Sequence, residues 1–446
     1  MAVLSGEAGA AGAPAPYAFA EGAETVDGAP SNVEGHRLSA GKTYKSSLPR
    51  VGQRFYRLEL RAEESAYVSG TAVPKPESKV SYADGLEVSV QDADGNNCSP
   101  LEAEKARFGS SESPRPITAT AARRVGPDEK SCTGAGTYYV VVERTRASSP
   151  ALEDWDLELH VASEPALRAE SPTVPPESWN SAAPVLPSGE RKQREGGSSF
   201  NKARGLENGV WGADIVPGET LFYRVPVDWG QQLSVAAELG SSGGGVGGAG
   251  GSGGAGRGTA RGTGYVSSAL VMSLANPVRA QVDDVDSAYD GKQKSTLLEP
   301  LPPVAYENRF ALTDEIAAMR FAGWYYLSVH LSRDVAEKFG DAQLELTLRV
   351  DVDGSPRQGP SYAGTPEPAE NFGVTERDTE AAKRGDTAAG GGGASSGGDD
   401  DELMVVVAAG GIGSGVVLLG ILGLWTLIAR RRAGDAAAQF GPPRGW

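Results

Sequence analysis

A chain of 446 residues has room for about three domains, yet 60 glycines and 29 prolines leave less of it to fold than that length suggests. Its formal charge of −16, with no basic stripe, argues against nucleic acid as a partner, because phosphate contacts need clustered Lys and Arg. Only two cysteines are present, Cys98 and Cys132; neither stands in a CxxC pair or beside a His at ligand spacing, which argues against zinc and leaves no cofactor implied.

Residues 1–35 are Ala/Gly-rich and read as a disordered N-terminal segment with one short strand near 17–26. They lack the basic start and Leu-rich core of a signal peptide, although Ala18-Phe19-Ala20 resembles a cleavage site. The expectation is therefore a true start upstream, with this segment the remnant of a signal region. Residues 36–163 carry short alternating strands: Tyr56, Leu58, Leu60 in one, Leu86, Val88, Val90 in the next, then 137–142 and 155–161. Period-two alternation bounded by Gly, Pro, Asn and Asp marks half-buried antiparallel strands and predicts a first β-sandwich. The Pro/Ser-rich stretch 164–204 reads as a linker.

Residues 205–352 repeat the first module. Tyr44, Leu48 and Phe55 share their spacing with Trp211, Ile215 and Phe222; FYRLEL (55–60) answers FYRVPV (222–227), and GTYYVVV (136–142) answers GWYYLSV (323–329). A Gly-rich run, 240–264, is too poor in side chains for a core and reads as a loop inserted between two strands of the second sandwich. Residues 353–402 are rich in Gly, Pro, Thr and acid and predict a disordered acidic stalk.

Residues 403–429 hold no charge, where about 20 apolar residues suffice for a transmembrane helix. Asp399 to Glu402 precede this span and Arg430, Arg431 and Arg432 follow it. The positive-inside rule then puts the tail 430–446 in the cytoplasm and the N-terminal part outside a single-pass cell membrane protein. A tail-anchored protein with its bulk in the cytosol is the rival topology. Outside the cell the natural state of Cys98 and Cys132 is one disulfide; two unpaired buried thiols are the alternative. Gly411 and Gly415 have the small-xxx-small spacing that lets two membrane helices approach, which suggests helix packing and a homo-oligomer.

A strand with FY near its start, a strand ending in the Asp94-Gly95 turn, and G-x-Y-Y-x-x-V together resemble the bacterial pre-peptidase C-terminal domain over 37–163 and, less well, 205–352. The resemblance implies a small jelly-roll-like β-sandwich appended to secreted enzymes and surface proteins. The whole arrangement is similar to membrane-anchored proteins of actinobacteria, which carry over no activity.

Residues that bear chemistry are few. His36 falls in a loop, His160 and His330 at solvent-facing places in strands, and none has a nucleophile or carboxylate at motif spacing. The GxSxG at 250–254 lies inside low-complexity glycine, not between a strand and a helix. Asp92, Asp94 and Asn96 alternate like calcium ligands, but an EF-hand needs Gly where Asn97 stands and Glu where Ala103 stands. A β-turn is the plain reading, a looser calcium site the alternative. Trp324 and Tyr326 lie on the face opposite Tyr325, either for carbohydrate or protein contact or packed beneath the loop before their strand. The sequence thus predicts an all-β chain of two tandem sandwiches on a stalk and anchor. It reads as a cell-surface binding or structural protein for a protein, cell-wall or carbohydrate partner, not an enzyme. An accessory subunit of a membrane complex is the first alternative, a surface hydrolase the second.

Overall fold

In a computed structural model, residues 13–98, 104–126, 129–145, 153–169, 172–176, 178–242 and 264–388 are described. The span 403–429, with Gly411 and Gly415, the flanking Arg430, Arg431 and Arg432, and the 250–254 motif lie outside them. No helix among the described residues is long and apolar enough to cross a membrane.

The chain is mostly β-sheet. Its first half holds β1 (Glu24–Thr25), β2 (His36–Arg37), β3 (Thr43–Leu48), β4 (Gln53–Leu60), β5 (Glu64–Val73), β6 (Gly85–Gln91), β7 (Lys105–Arg107), β8 (Ile117–Arg123), β9 (Gly136–Thr145) and β10 (Trp155–Pro165). These form sheet I, ordered β1-β3-β10-β5-β8, and sheet II, ordered β2-β4-β9-β6-β7. The second half holds β11 (Arg191–Gln193), β12 (Arg204–Gly205), β13 (Gly209–Ile215), β14 (Thr220–Val227), β15 (Gln232–Leu239), β16 (Val266–Ala275), β17 (Gln281–Tyr289), β18 (Lys294–Leu297), β19 (Gly323–Leu331) and β20 (Leu344–Asp353). Sheet III runs β11-β13-β20-β15-β18 and sheet IV β12-β14-β19-β16-β17. Each strand of the first half thus has its counterpart ten places on, so the repeat read from short motifs extends to the whole strand order. The short first strands pair parallel with β3, β4, β13 and β14; the other pairings are antiparallel.

The alternation explains the cores. Tyr56, Leu58 and Leu60 of β4 and Leu86, Val88 and Val90 of β6 are buried between sheets I and II; Tyr223, Val225 and Val227 of β14 do the same in the second module. Each such side chain contributes about 1.5–3 kcal/mol by leaving water.

Cys98 and Cys132 form a disulfide, tying the chain after β6 to the chain before β9. Beside it the fully buried Arg123 donates to the Cys132 carbonyl at 2.6 Å and the Gly134 carbonyl at 2.8 Å, and also to the Glu64 carbonyl. The Tyr138 hydroxyl donates to the same two carbonyls, Cys132 and Gly134, at 2.8 and 2.7 Å. Replacing both cysteines by Ser should lower stability by about 3 kcal/mol, from the loop entropy released in the unfolded chain. A urea midpoint unmoved by the substitution, or by dithiothreitol, would show that the bond does not form.

Several expectations about the connecting segments need correction. The 164–204 segment is not all linker: β11 pairs with Val210–Gly212, and the turn Phe200–Lys202 buries Phe200 and Asn201. Nor is 353–402 all stalk, since up to residue 388 it packs on both modules. It bridges Leu167 to Tyr362 and Ser163 to Glu367, buries Phe372, and pairs Arg204 with Thr387. After α1 (Asp314–Ala318) and α2 (Asp334–Phe339), this strap contributes α3 (Glu376–Arg384). At the N-terminus Val26 is buried and donates to the Lys45 carbonyl at 2.8 Å, so disorder does not extend to residue 35. The Gly-rich run joins β15 to β16, with 243–263 outside the described residues. A second surplus over the first module lies at 298–322, which carries α1 and was not expected.

Candidate functional site

All described residues fall in one compact unit, and the outer faces of sheets I and IV meet within it. On sheet I the polar places of β10, Glu158, His160 and Glu164, point at the second module. The two histidines expected in solvent are therefore buried, His160 at 8 % exposure and His330 at 2 %. Only His36, on β2, is partly exposed, 3.5 Å from Glu24.

Two ion pairs hold the modules together. Glu158 is wholly buried and accepts from Arg279 at 2.7 Å, from the Asn201 amide at 2.8 Å and from the Tyr17 hydroxyl at 3.0 Å. Arg279 sits at φ +64°, a left-handed conformation, and its guanidinium lies 4.9 Å from the centre of the Phe200 ring. Burial opposes its charge, but Glu158 outweighs burial and holds its pKa above the usual range. Glu164 accepts from Arg309 at 2.8 and 3.2 Å and from the hydroxyls of Tyr67 at 2.8 Å and Tyr362 at 2.9 Å. Burial would raise the Glu164 pKa; Arg309 and the two tyrosines outweigh it and keep the carboxyl below its ordinary range. Around this pair Tyr67 and Phe321 pack edge to face, as do Phe321 and Phe372.

The histidines bridge as well. His160 Nδ1 meets Thr43 at 3.0 Å and its Nε2 meets Asn371 of the strap at 3.3 Å. His330 Nδ1 meets Thr220 at 2.9 Å, and its Nε2 meets Ser113 of the first module at 2.9 Å. Burial pushes both imidazoles well below their ordinary pKa, and Arg279 beside His160 and Arg115 beside His330 push the same way. The Ser113–His330–Thr220 chain has the hydrogen-bond order of a hydrolase triad. Ser113 is wholly buried, however, and a threonine carries no charge to stabilise an imidazolium.

Trp324 and Tyr326 are not exposed either, and their cover is not the loop before β19. Phe200, Tyr17 and α3 lie over this face of sheet IV. Trp324 donates to Asp378 of α3 at 2.9 Å, and Arg224 stacks 3.9 Å over the indole. Thr375 and Asp378 cap the start of α3 reciprocally, and Gly385 ends it in a left-handed turn. Arg194, Arg204 and Arg224 donate to the carbonyls of Lys383, Gly385 and Thr387 at 2.9, 3.4 and 2.6 Å, gripping the negative end of the helix dipole.

A cleft of about 480 Å³ opens between the modules. Lys105, Arg107, Arg115 and Thr118 line it from the first module, and Thr220, Ser273, Asp284, Ser328 and His330 from the second; Phe222 and Tyr326 flank it. That volume is in the range of small-ligand sites, and its charged, hydroxyl and aromatic groups can orient a polar ligand. Elsewhere, the Asp92 carboxylate is engaged within its own turn. Asp92 takes the backbone N–H groups of Asp94 and Asn96 at 3.0 and 2.9 Å and the Asn96 amide at 2.9 Å, and that amide holds its pKa below the ordinary value. No cluster of three or more metal-ligating side chains occurs among the described residues.

No family model matches the chain, and no curated protein matches it. Among solved structures, tripeptidyl peptidase 2 is 9% identical, with a TM-score of 0.19 over 78% of this chain; the chain spans 28% of that protein's length. The CUB1-EGF-CUB2 domain of human MASP-1/3 is 6% identical, with a TM-score of 0.16, over 69% of this chain and 99% of that one. Tandem CBM51 modules of a family 98 glycoside hydrolase from Streptococcus pneumoniae are 10% identical, with a TM-score of 0.17, over 70% and 84%. Likenesses this weak do not bear on what the cleft takes.

Proposed function

We propose that the chain is a membrane-anchored binding protein of the cell surface, and that the cleft between its two sandwiches is where it binds. The observation that carries this is the fixed stacking of the modules, which sets walls of two different domains around one cavity without blocking its mouth. Residues 403–429 are the anchor, the acidic residues before them lie outside, and Arg430, Arg431 and Arg432 lie in the cytoplasm. Each ten-strand unit is read as a jelly-roll-like sandwich akin to the pre-peptidase C-terminal domain. The sheet orders β3-β10-β5-β8 and β4-β9-β6-β7, repeated in the second module, support that reading. The disulfide is in keeping with an oxidising exterior.

Protease added to intact cells should digest the modules and leave the C-terminal tail protected. Protected modules with an accessible tail would reverse the topology and end this reading.

A further inference from the structure

The two walls of the inter-module cleft differ in charge. Lys105, Arg107 and Arg115 stand on the first module and Asp284 on β17 of the second. Not all of these cations are available to a ligand. Lys105 leans on Glu87 at 3.2 Å, and Arg279, at the cleft's end, is neutralised by Glu158. Arg107 is exposed and has no ion pair among the described residues. Arg115 is oriented by the carbonyls of Phe108 at 2.8 Å and Ser111 at 2.9 Å, which position its guanidinium without cancelling its charge. Burial draws the Arg115 pKa down to about 10, which leaves it a cation at neutral pH, and the charges of Asp284 on the opposite wall and of Asp286 on the same strand support it.

We infer that the cleft receives a short peptide with both termini free, its carboxylate on Arg107 and Arg115 and its ammonium on Asp284. The inference rests on the reading of the chain as a binding protein and names the ligand of that same cleft. A neutral sugar brings no charge to either wall, so it adds nothing for Arg107 and Arg115 or for Asp284, whose carboxylate accepts only from the neutral Gln281 amide. A simple anion suits Arg115 but faces Asp284, whereas a zwitterion meets both walls with opposite charge. Thr118, Ser273 and Ser328 supply hydroxyls for the peptide groups between the termini.

The test is calorimetric titration of the full chain in lipid nanodiscs with dialanine, trialanine and tetraalanine. N-acetyl-trialanine, trialanine amide and xylohexaose serve as comparison ligands. At least one free peptide should bind, and capping either end should weaken binding about tenfold, the size of one charge-assisted contact. Arg115→Gln should remove the penalty for the amide while keeping that for the acetyl group, and Asp284→Asn the reverse. Arg107→Gln, on an exposed side chain, gives the same cationic-wall test if Arg115→Gln does not fold. Failure of all three free peptides, equal binding of capped and free forms, or tighter binding of xylohexaose would each overturn the inference. Surface digestion reports separately on the broader reading, so the two can fail independently.

Discussion

Glu164→Leu is expected to destabilise the protein by about 3–5 kcal/mol, because it leaves the Arg309 guanidinium buried without its counter-ion. Glu164 and Arg309 are 2 % and 10 % exposed, so solvent screening does little for them. The change also takes the acceptor from the Tyr67 and Tyr362 hydroxyls. Since the pair joins the two modules, denaturation of the variant followed by tryptophan fluorescence should split into two transitions, one per sandwich. Glu164→Leu/Arg309→Leu should recover much of the loss, because no charge then stays buried. A single variant within about 0.5 kcal/mol of the parent, the range of ordinary surface substitutions, would show that the modules do not pack through this pair in solution.

Acid should loosen the same interface. His160 and His330 are neutral in the folded protein, with pKa values well below the unfolded value near 6.5. Above about pH 7 neither state binds the protons and stability is full. As pH falls below about 6.5 the unfolded chain takes up two protons that the folded chain refuses. The slope should steepen toward a limit of about 2.7 kcal/mol per pH unit, reached about one unit below 6.5 and holding until the folded pKa values are reached. Glu164 acts lower: its depressed pKa contributes stability above the ordinary carboxyl range, near 4.3, that is lost as pH falls through the folded value. Glu219 and Asp228, whose pKa values burial raises, gain relative stability on protonation and so offset part of the loss near pH 4–5. The histidine effect is therefore cleanest between about pH 7 and 5.5. His160→Gln/His330→Gln keeps hydrogen-bonding groups in place and should flatten unfolding free energy against pH in that window. A parent already flat there would mean that the imidazoles titrate freely in solution.

How far this fold could be read in the sequence depends on which contacts are local. Strand alternation exposed both cores, and the paired FYR and double-Tyr motifs exposed the duplication, because each records a repeat along the chain. The polar side of β10 was misread because alternation reports that one face is apolar, not what covers the other. In β20 the places matching Glu158 and His160 are Thr347 and Arg349, which are only half-buried. In β10 the equivalent face is closed by Arg279, Arg309 and Asn371, residues more than a hundred positions away. Nothing local announces such a partner. The strap was missed for another reason: its composition is that of a disordered segment, while its docking depends on a few residues, Tyr362, Phe372 and Ala382. A signal was present in Thr375-Glu376-Arg377-Asp378, a capping-box pattern, with Gly385 at the stop. The cleft itself is formed by the docking, and its Arg115 and Asp284 lie on separate modules.

The reciprocal clasp, with Tyr17 of the N-terminal segment on Phe222 and Tyr362 of the strap on Glu164, bears on how the molecule can be dissected. Expressed singly, either half would show water an uncovered mosaic of aromatic rings and half-made ion pairs, and so would be prone to clump. Severed in the Pro-rich connection near residue 180 and mixed, the halves would instead form a complementing fragment pair whose reassembly rebuilds the groove.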